Sequence, residues 1–269
     1  MKTLVSNEVC CGLELEYEGV SYGDTERAYV RGPVAGLLSF HEDGSLRPRG
    51  RNTEIIFNQP LAGPNVGIAL SDVGYLIDTL PYEVTWRCGM HVHIDFRGLS
   101  FAQATKAIVI AAMLEPVLYA WDGGGRQENK FCQSITDSVA TYLEGSILGG
   151  NLNLTKYASV NLSSLRVTGS MELRFASGTK DIDRMTRFIN IGFAIRQATL
   201  AFVDGVAIVK SFAYAGSLEK WIETYMHPLV RDDLLAAAGR CTRGFSPAHW
   251  NAALTLSDEK YYTHNRIVA

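Results

Sequence analysis

The stretch CGMHVHID, residues 88–95, carries two of the chain's six histidines, His91 and His93, separated by a single valine. Side chains alternate across a β-strand, so residues at i and i+2 share a face. Met90, Val92 and Ile94 then take one side, and His91, His93 and Asp95 the other. Two more stretches repeat the division. In GLELEY (12–17) Leu13, Leu15 and Tyr17 oppose Glu14 and Glu16, and in SMELRF (170–175) Met171, Leu173 and Phe175 oppose Glu172 and Arg174. An antiparallel sheet that buries one face and shows charge to water on the other explains any one of these strands alone. The histidines shift that reading, because imidazole is uncommon on a plain solvated strand and is a frequent metal ligand.

Glu54 opens the apolar run TEIIF and is either a solvated strand end or one more member of the set. Glu14, Glu16, Glu54 and Glu172 brought together place four negative charges side by side, which close packing tolerates only with cations. Carboxylate oxygens suit Mg²⁺ or Mn²⁺, and a single imidazole among them is compatible with either. Asp43, in EDGSL, and Asp95 are candidate proton acceptors, although Asp at a hairpin tip more often serves turn geometry. The run GGGR (123–126) is a flexible turn rather than a phosphate cradle, because no Gly-Lys-Ser/Thr follows it. Cys88 and Cys132 read as small packed residues, with no histidine partner that would make either a nucleophile.

The elements that must position these residues follow from periodicity. Strands are expected over 11–19, 34–47 and 52–60, with Asp43-Gly44 at a hairpin tip. A helix is expected from about Val66 to Leu80, ahead of the histidine strand. Ser100 caps a long helix whose inward face is Ile108, Ala111, Leu114, Leu118 and Trp121, bent at Pro116. Strands over 156–165 and 170–178 are joined around RVTG. A single helix over 179–203 turns Ile182, Met185, Ile189, Phe193, Leu200 and Val203 inward, and short helices follow from about Ser217, one started by Ser246-Pro247. The fold class is α+β. With no repeat, linker or low-complexity run, one domain over 1–269, helical from about 181, is the economical count.

Composition excludes several classes. Hydrophobic residues are 47% and charged residues 20% of the chain, as in a folded, soluble protein, and a net charge of −3 gives no broad basic surface for nucleic acid. Five cysteines without a CxxC pair suggest reduced thiols and a cytoplasmic protein. The start, MKTLVSNEVCC, lacks a signal peptide's apolar core, and the apolar region 191–209 is interrupted by Arg196 and Asp204, so no membrane segment is expected.

Taken in order, GLELEYE, DGSL, EIIF, CGMHVHID, KYASVNL and MELRFASGTKD resemble the amidoligase family, a branch of the glutamine synthetase-like carboxylate-amine ligases, over residues 11–181. The resemblance implies a curved, largely antiparallel sheet with ATP and two or three Mg²⁺ on its concave face and helices on its convex face. It makes Glu14 and Glu16 ligands of different ions, adds Glu54 to one site, and completes the other with His91 and Glu172. His93 would lie by the ATP phosphates and Arg174 would contact the transferred phosphoryl group. Lys156 stands where many relatives carry Arg, and so would meet phosphate as a point charge rather than a fork. Arg126, within GRQENKFCQ, together with Asp43 and Asn161, would bind substrate. The implied activity joins a small-molecule or peptide carboxylate to an amine through an acyl phosphate.

Three rivals remain open: a guanidino-kinase-like phosphotransferase, a Zn²⁺ hydrolase using His91 and His93, and a nucleotide-binding module without turnover. As exposed strand residues, the site positions are expected to tolerate alanine within a fraction of a kcal/mol.

Overall fold

The structure is a computed structural model that describes residues 3–127, 129–136, 157–161, 163–241 and 247–258. Its strands are β1 (Cys11–Glu18), β2 (Leu38–His41), β3 (Asn52–Phe57), β4 (Gly89–Asp95), β5 (Val160–Asn161) and β6 (Ser170–Ser177). The chain divides into two compact units, Met1–Asp95 with Ala176–Asn190, and Phe96–Phe175 with Ile191–Ala269. In the first unit β2, β3, β1 and β4 pair antiparallel in that order, in the second β5 pairs antiparallel with β6, and with the helices they make an α+β fold.

In the first unit β1 lies between β3 and β4, with Leu15 opposite Ile55 on one side and Met90 on the other. The apolar face formed by alternation is fully buried: Leu13, Leu15, Tyr17, Ile55, Met90, Val92 and Ile94 are all in the core. Each such side chain contributes roughly 1.5–3 kcal/mol relative to exposure, which fixes the strand register because a slip of one residue would turn the carboxylates inward. Helix α2 (Pro64–Thr79) forms as expected. Helix α1 (Tyr22–Arg31) was not legible in the apolar pattern, being mostly polar, and its signal is the cap instead: Ser21 Oγ accepts from Asp24 N. Strand β2 is shorter than 34–47. A connection over residues 42–51, anchored by buried Leu46, replaces the two-residue hairpin.

In the second unit α3 (Phe101–Asp122) starts at Ser100 with a reciprocal Ser100–Gln103 capping box, and it runs through Pro116. Every residue from Thr105 to Tyr119 is buried, so this helix is covered on all sides rather than along the one face expected. Ala102–Asp122 is also long and apolar enough to cross a membrane, and most of it is buried inside the protein. Around α3 pack α6 (Gly205–Ala215), α8 (Pro228–Ala238) and α9 (Pro247–Ser257), with α7 (Leu218–Tyr225) against α6 and α8. Trp221 stacks on Phe212 at 4.0 Å between ring centres.

Two connections depart from expectation. Only Val160–Asn161 of the stretch 156–165 is strand, and α4 (Ser163–Val167) follows it. Helix α5 (Ile182–Ala198) ends before residue 203, and a 3₁₀ turn over Thr199–Ala201 leaves Leu200 71% and Val203 84% exposed rather than inward. The backbone is already extended at Phe202, and the Asp204 side chain then accepts from Ala207 N as the N-cap of α6, which starts a separate helix. Ser246 lies outside the described residues.

Candidate functional site

In the first unit the antiparallel register sets Glu14 opposite His91, and Glu16 opposite Glu54. Glu14 is held between two imidazoles: its Oε2 is 3.1 Å from His91 Nδ1 and its Oε1 is 2.9 Å from His93 Nε2. Burial pushes the Glu14 carboxyl up, and the hydrogen bonds and charge of the two histidines outweigh it, leaving it well below the usual carboxylate range. When His91 donates from Nδ1, its Nε2 carries a lone pair. That nitrogen is 3.9 Å from Glu16 Oε1. A carboxylate on one imidazole nitrogen and a ligand position on the other is the usual pattern of a metal-binding histidine.

Glu16, Asp43 and Glu54 form a second group, each offering a carboxylate oxygen within 4.8 Å of the others. Glu16 Oε2 accepts from Gly89 N at 2.5 Å, which fixes the side chain from β4. Asp43 does serve the turn: its Oδ1 accepts from Ser45 N at 2.5 Å, and its own N donates to Asn52 Oδ1 at 3.0 Å. The next residue on this face, Glu18, accepts from Arg47 N at 2.6 Å and so ties the 42–51 connection to β1.

In the second unit Glu172 on β6 lies opposite Asn161 on β5. Asn161 Nδ2 donates to Glu172 Oε2 at 2.5 Å, and Arg174 Nη1 donates to Glu172 Oε1. Arg126 is 1% exposed. Burial pushes the Cys132 thiol up to about 11, against the opposing pull of the Tyr119 hydroxyl and the Arg126 charge, so this cysteine is a packed thiol at neutral pH. Lys156 lies outside the described residues.

The polar faces are only partly solvated, with Glu14, Glu54, His93 and Arg174 half-buried and three residues buried. His91, Glu16 and Glu172 are 2%, 6% and 3% exposed. Their substitution therefore carries the cost of leaving buried donors and acceptors unpaired, about 1–3 kcal/mol per neutral group and more where the partner is charged, and the expectation of near-neutral alanine variants is corrected on that ground. Sequence reasoning also missed Glu115 and Ser159, both buried in the second unit. The available signal was a lone carboxylate ahead of Pro116 in the apolar run IVIAAMLEPVLYA.

Fold and site together define an α+β protein whose sheet strands carry a partly buried set of carboxylates and imidazoles that could hold a metal ion. Compared with known protein families the chain matches none, and no curated protein matches it significantly.

Proposed function

We propose that the chain is an ATP-dependent carboxylate-amine ligase of the glutamine synthetase-like type, acting on a small-molecule or peptide carboxylate and amine in the cytoplasm. The observation that carries this reading is the grouping of Glu16, Asp43 and Glu54 beside the Glu14–His91–His93 cluster in the first unit. The three carboxylate oxygens lie within 4.8 Å of one another, and hard oxygen donors fit Mg²⁺ or Mn²⁺. In this reading the sheet is the curved ligase sheet with ATP on its concave face.

Glu16 and Glu54 would hold one ion, Glu14 with His91 another, and Glu172 would add a carboxylate ligand of its own. When bound, the ions offset the phosphate charge of ATP. His93 orients the nucleotide phosphates, Arg174 takes charge from the transferred phosphoryl group, and Arg126 with Asn161 binds the substrate. A substrate carboxylate oxygen attacks the γ-phosphorus and ADP leaves, giving an acyl phosphate. The amine nitrogen then attacks the acyl carbon, inorganic phosphate departs, and the amine proton passes to a carboxylate or water. The protein's own part is positioning and charge neutralisation, the main demands of phosphoryl transfer.

The test is an ADP-release screen with Mg²⁺ across amino acids, polyamines and carboxylates, with mass spectrometry for products lighter than the summed substrates by one water. ATP-dependent amide formation is expected. Phosphorylated guanidine without amide, or Zn²⁺-dependent hydrolysis without ATP, would replace this reading with a phosphotransferase or a hydrolase.

A further inference from the structure

Glu115 is the one charged side chain between Ala107 and Tyr119 in the middle of α3, and it is 1% exposed. A carboxylate in such a place is costly unless hydrogen bonds satisfy it, so what it holds is informative. Its Oε1 accepts from Ile135 N at 2.8 Å and from the Ser159 hydroxyl, and its Oε2 is 3.8 Å from His249 Nε2 on α9. One turn further along α3, Tyr119 Oη donates to Cys132 O at 3.0 Å. The two gripped segments also hold each other, through Gln133 N to Tyr157 O and Ser159 N to Gln133 O, both 2.7 Å.

Ser159 carries this grip into the strands. Its carbonyl accepts from Arg174 N at 2.8 Å, while its amide and hydroxyl are the groups just described. The residues after it are β5, which sets Val160 opposite Leu173 and Asn161 opposite Glu172. β5 is two residues long, shorter than strands that hold a register by themselves.

We propose that Glu115 is a positioning residue. Acting through Ser159, it fixes β5 against β6 and so sets the Glu172 carboxylate and the Arg174 guanidinium; only the metal-binding role of Glu172 in this proposal rests on the ligase reading. Glu115 itself touches neither substrate nor ion. The bonds it accepts from Ile135 N and the Ser159 hydroxyl need an acceptor oxygen at that point, which a neutral amide also supplies.

Mn²⁺ binding to the full chain, followed by electron paramagnetic resonance without ATP, tests this. Ser159→Ala removes one hydroxyl and is expected to weaken Mn²⁺ binding about tenfold, the lower end for loss of a group that orients a ligand. Glu115→Leu weakens it at least as much, whereas Glu115→Gln, which keeps an acceptor oxygen, stays within about twofold of the wild type. Leu118→Ala, a truncation in the same helix, lowers the thermal midpoint and leaves Mn²⁺ binding unchanged. If Glu115→Leu fails to fold, Ser159→Ala carries the test.

Unchanged binding in Ser159→Ala, equal damage in Glu115→Gln and Glu115→Leu, or loss of binding in Leu118→Ala would each overturn the proposal. A wild type that binds no Mn²⁺ overturns it together with the metal reading. The expected pattern without any ADP release in the substrate screen would sink the ligase reading and leave the positioning role standing.

Discussion

Glu14 in the first unit and Glu172 in the second are both strand carboxylates facing polar partners, but the partners differ in kind. Glu14 sits between two imidazoles, whereas Glu172 takes an amide and a guanidinium. An imidazole can give up a proton and turn a lone pair to a metal; a guanidinium stays charged and has no acceptor. In the proposed reading the first environment can exchange its partners for a cation. The second keeps a fixed positive charge beside its carboxylate, which suits contact with a developing phosphoryl charge.

The largest expected effect falls on the guanidinium side. Glu172→Ala leaves Arg174 without its carboxylate and is expected to cost about 3–5 kcal/mol, as for breaking a buried ion pair, and to reduce ADP release at least about 100-fold. Denaturant midpoints and turnover check both. A variant with full activity would erase the assignment of Glu172.

The imidazole side separates its two members. His91 is buried and His93 is partly exposed, as is Glu14. His91→Ala should therefore cost about 1–3 kcal/mol, and His93→Ala less than about 1 kcal/mol because water replaces the lost partner. Equal costs in urea unfolding would show that the cluster is not graded in this way.

Thiol chemistry gives a smaller contrast. Cys10 and Cys241 are partly exposed, while Cys11, Cys88 and Cys132 are buried with their thiols pushed up mainly by burial. The thiolate is the reactive form and a raised value keeps a thiol protonated, so Cys132 at pH 8 is only about one part in a thousand thiolate. A disulfide reagent at that pH should label Cys10 and Cys241 first, with the other three reacting only on unfolding. Rapid labelling of Cys132 in the native protein would contradict its packing.

The smallest effect is expected at Leu200 and Val203, where Ser substitutions should change stability by no more than about 0.5 kcal/mol because both side chains are exposed. A loss of 2 kcal/mol or more, read from thermal unfolding, would restore the inward helix face that periodicity suggested.

That last pair shows where the sequence stopped being readable. A two-residue period survives any change of partners, so the faces of β1, β4 and β6 could be assigned from Leu13, Val92 and Leu173 alone. A 3.6-residue period ran on through Leu200 and Val203 because a cap such as Asp204 acts on the backbone and leaves the apolar pattern untouched. Likewise α1 is announced by Ser21 rather than by hydrophobic spacing. Alternation also says nothing of whether a polar face meets water, so the burial of His91 and Glu172 had to come from the fold. Glu115 escaped because its partners, Ile135 and Ser159, are 20 and 44 residues away in the chain.

The central claim is that the carboxylates and imidazoles of the first unit bind divalent cations. Equilibrium Mn²⁺ titration of the wild type against Glu16→Gln and Glu14→Gln, with ATP present, tests it most directly. The account predicts at least two saturable Mn²⁺ per chain in the wild type and the loss of at least one in each variant. No saturable binding in the wild type, or identical binding in all three proteins, would contradict it.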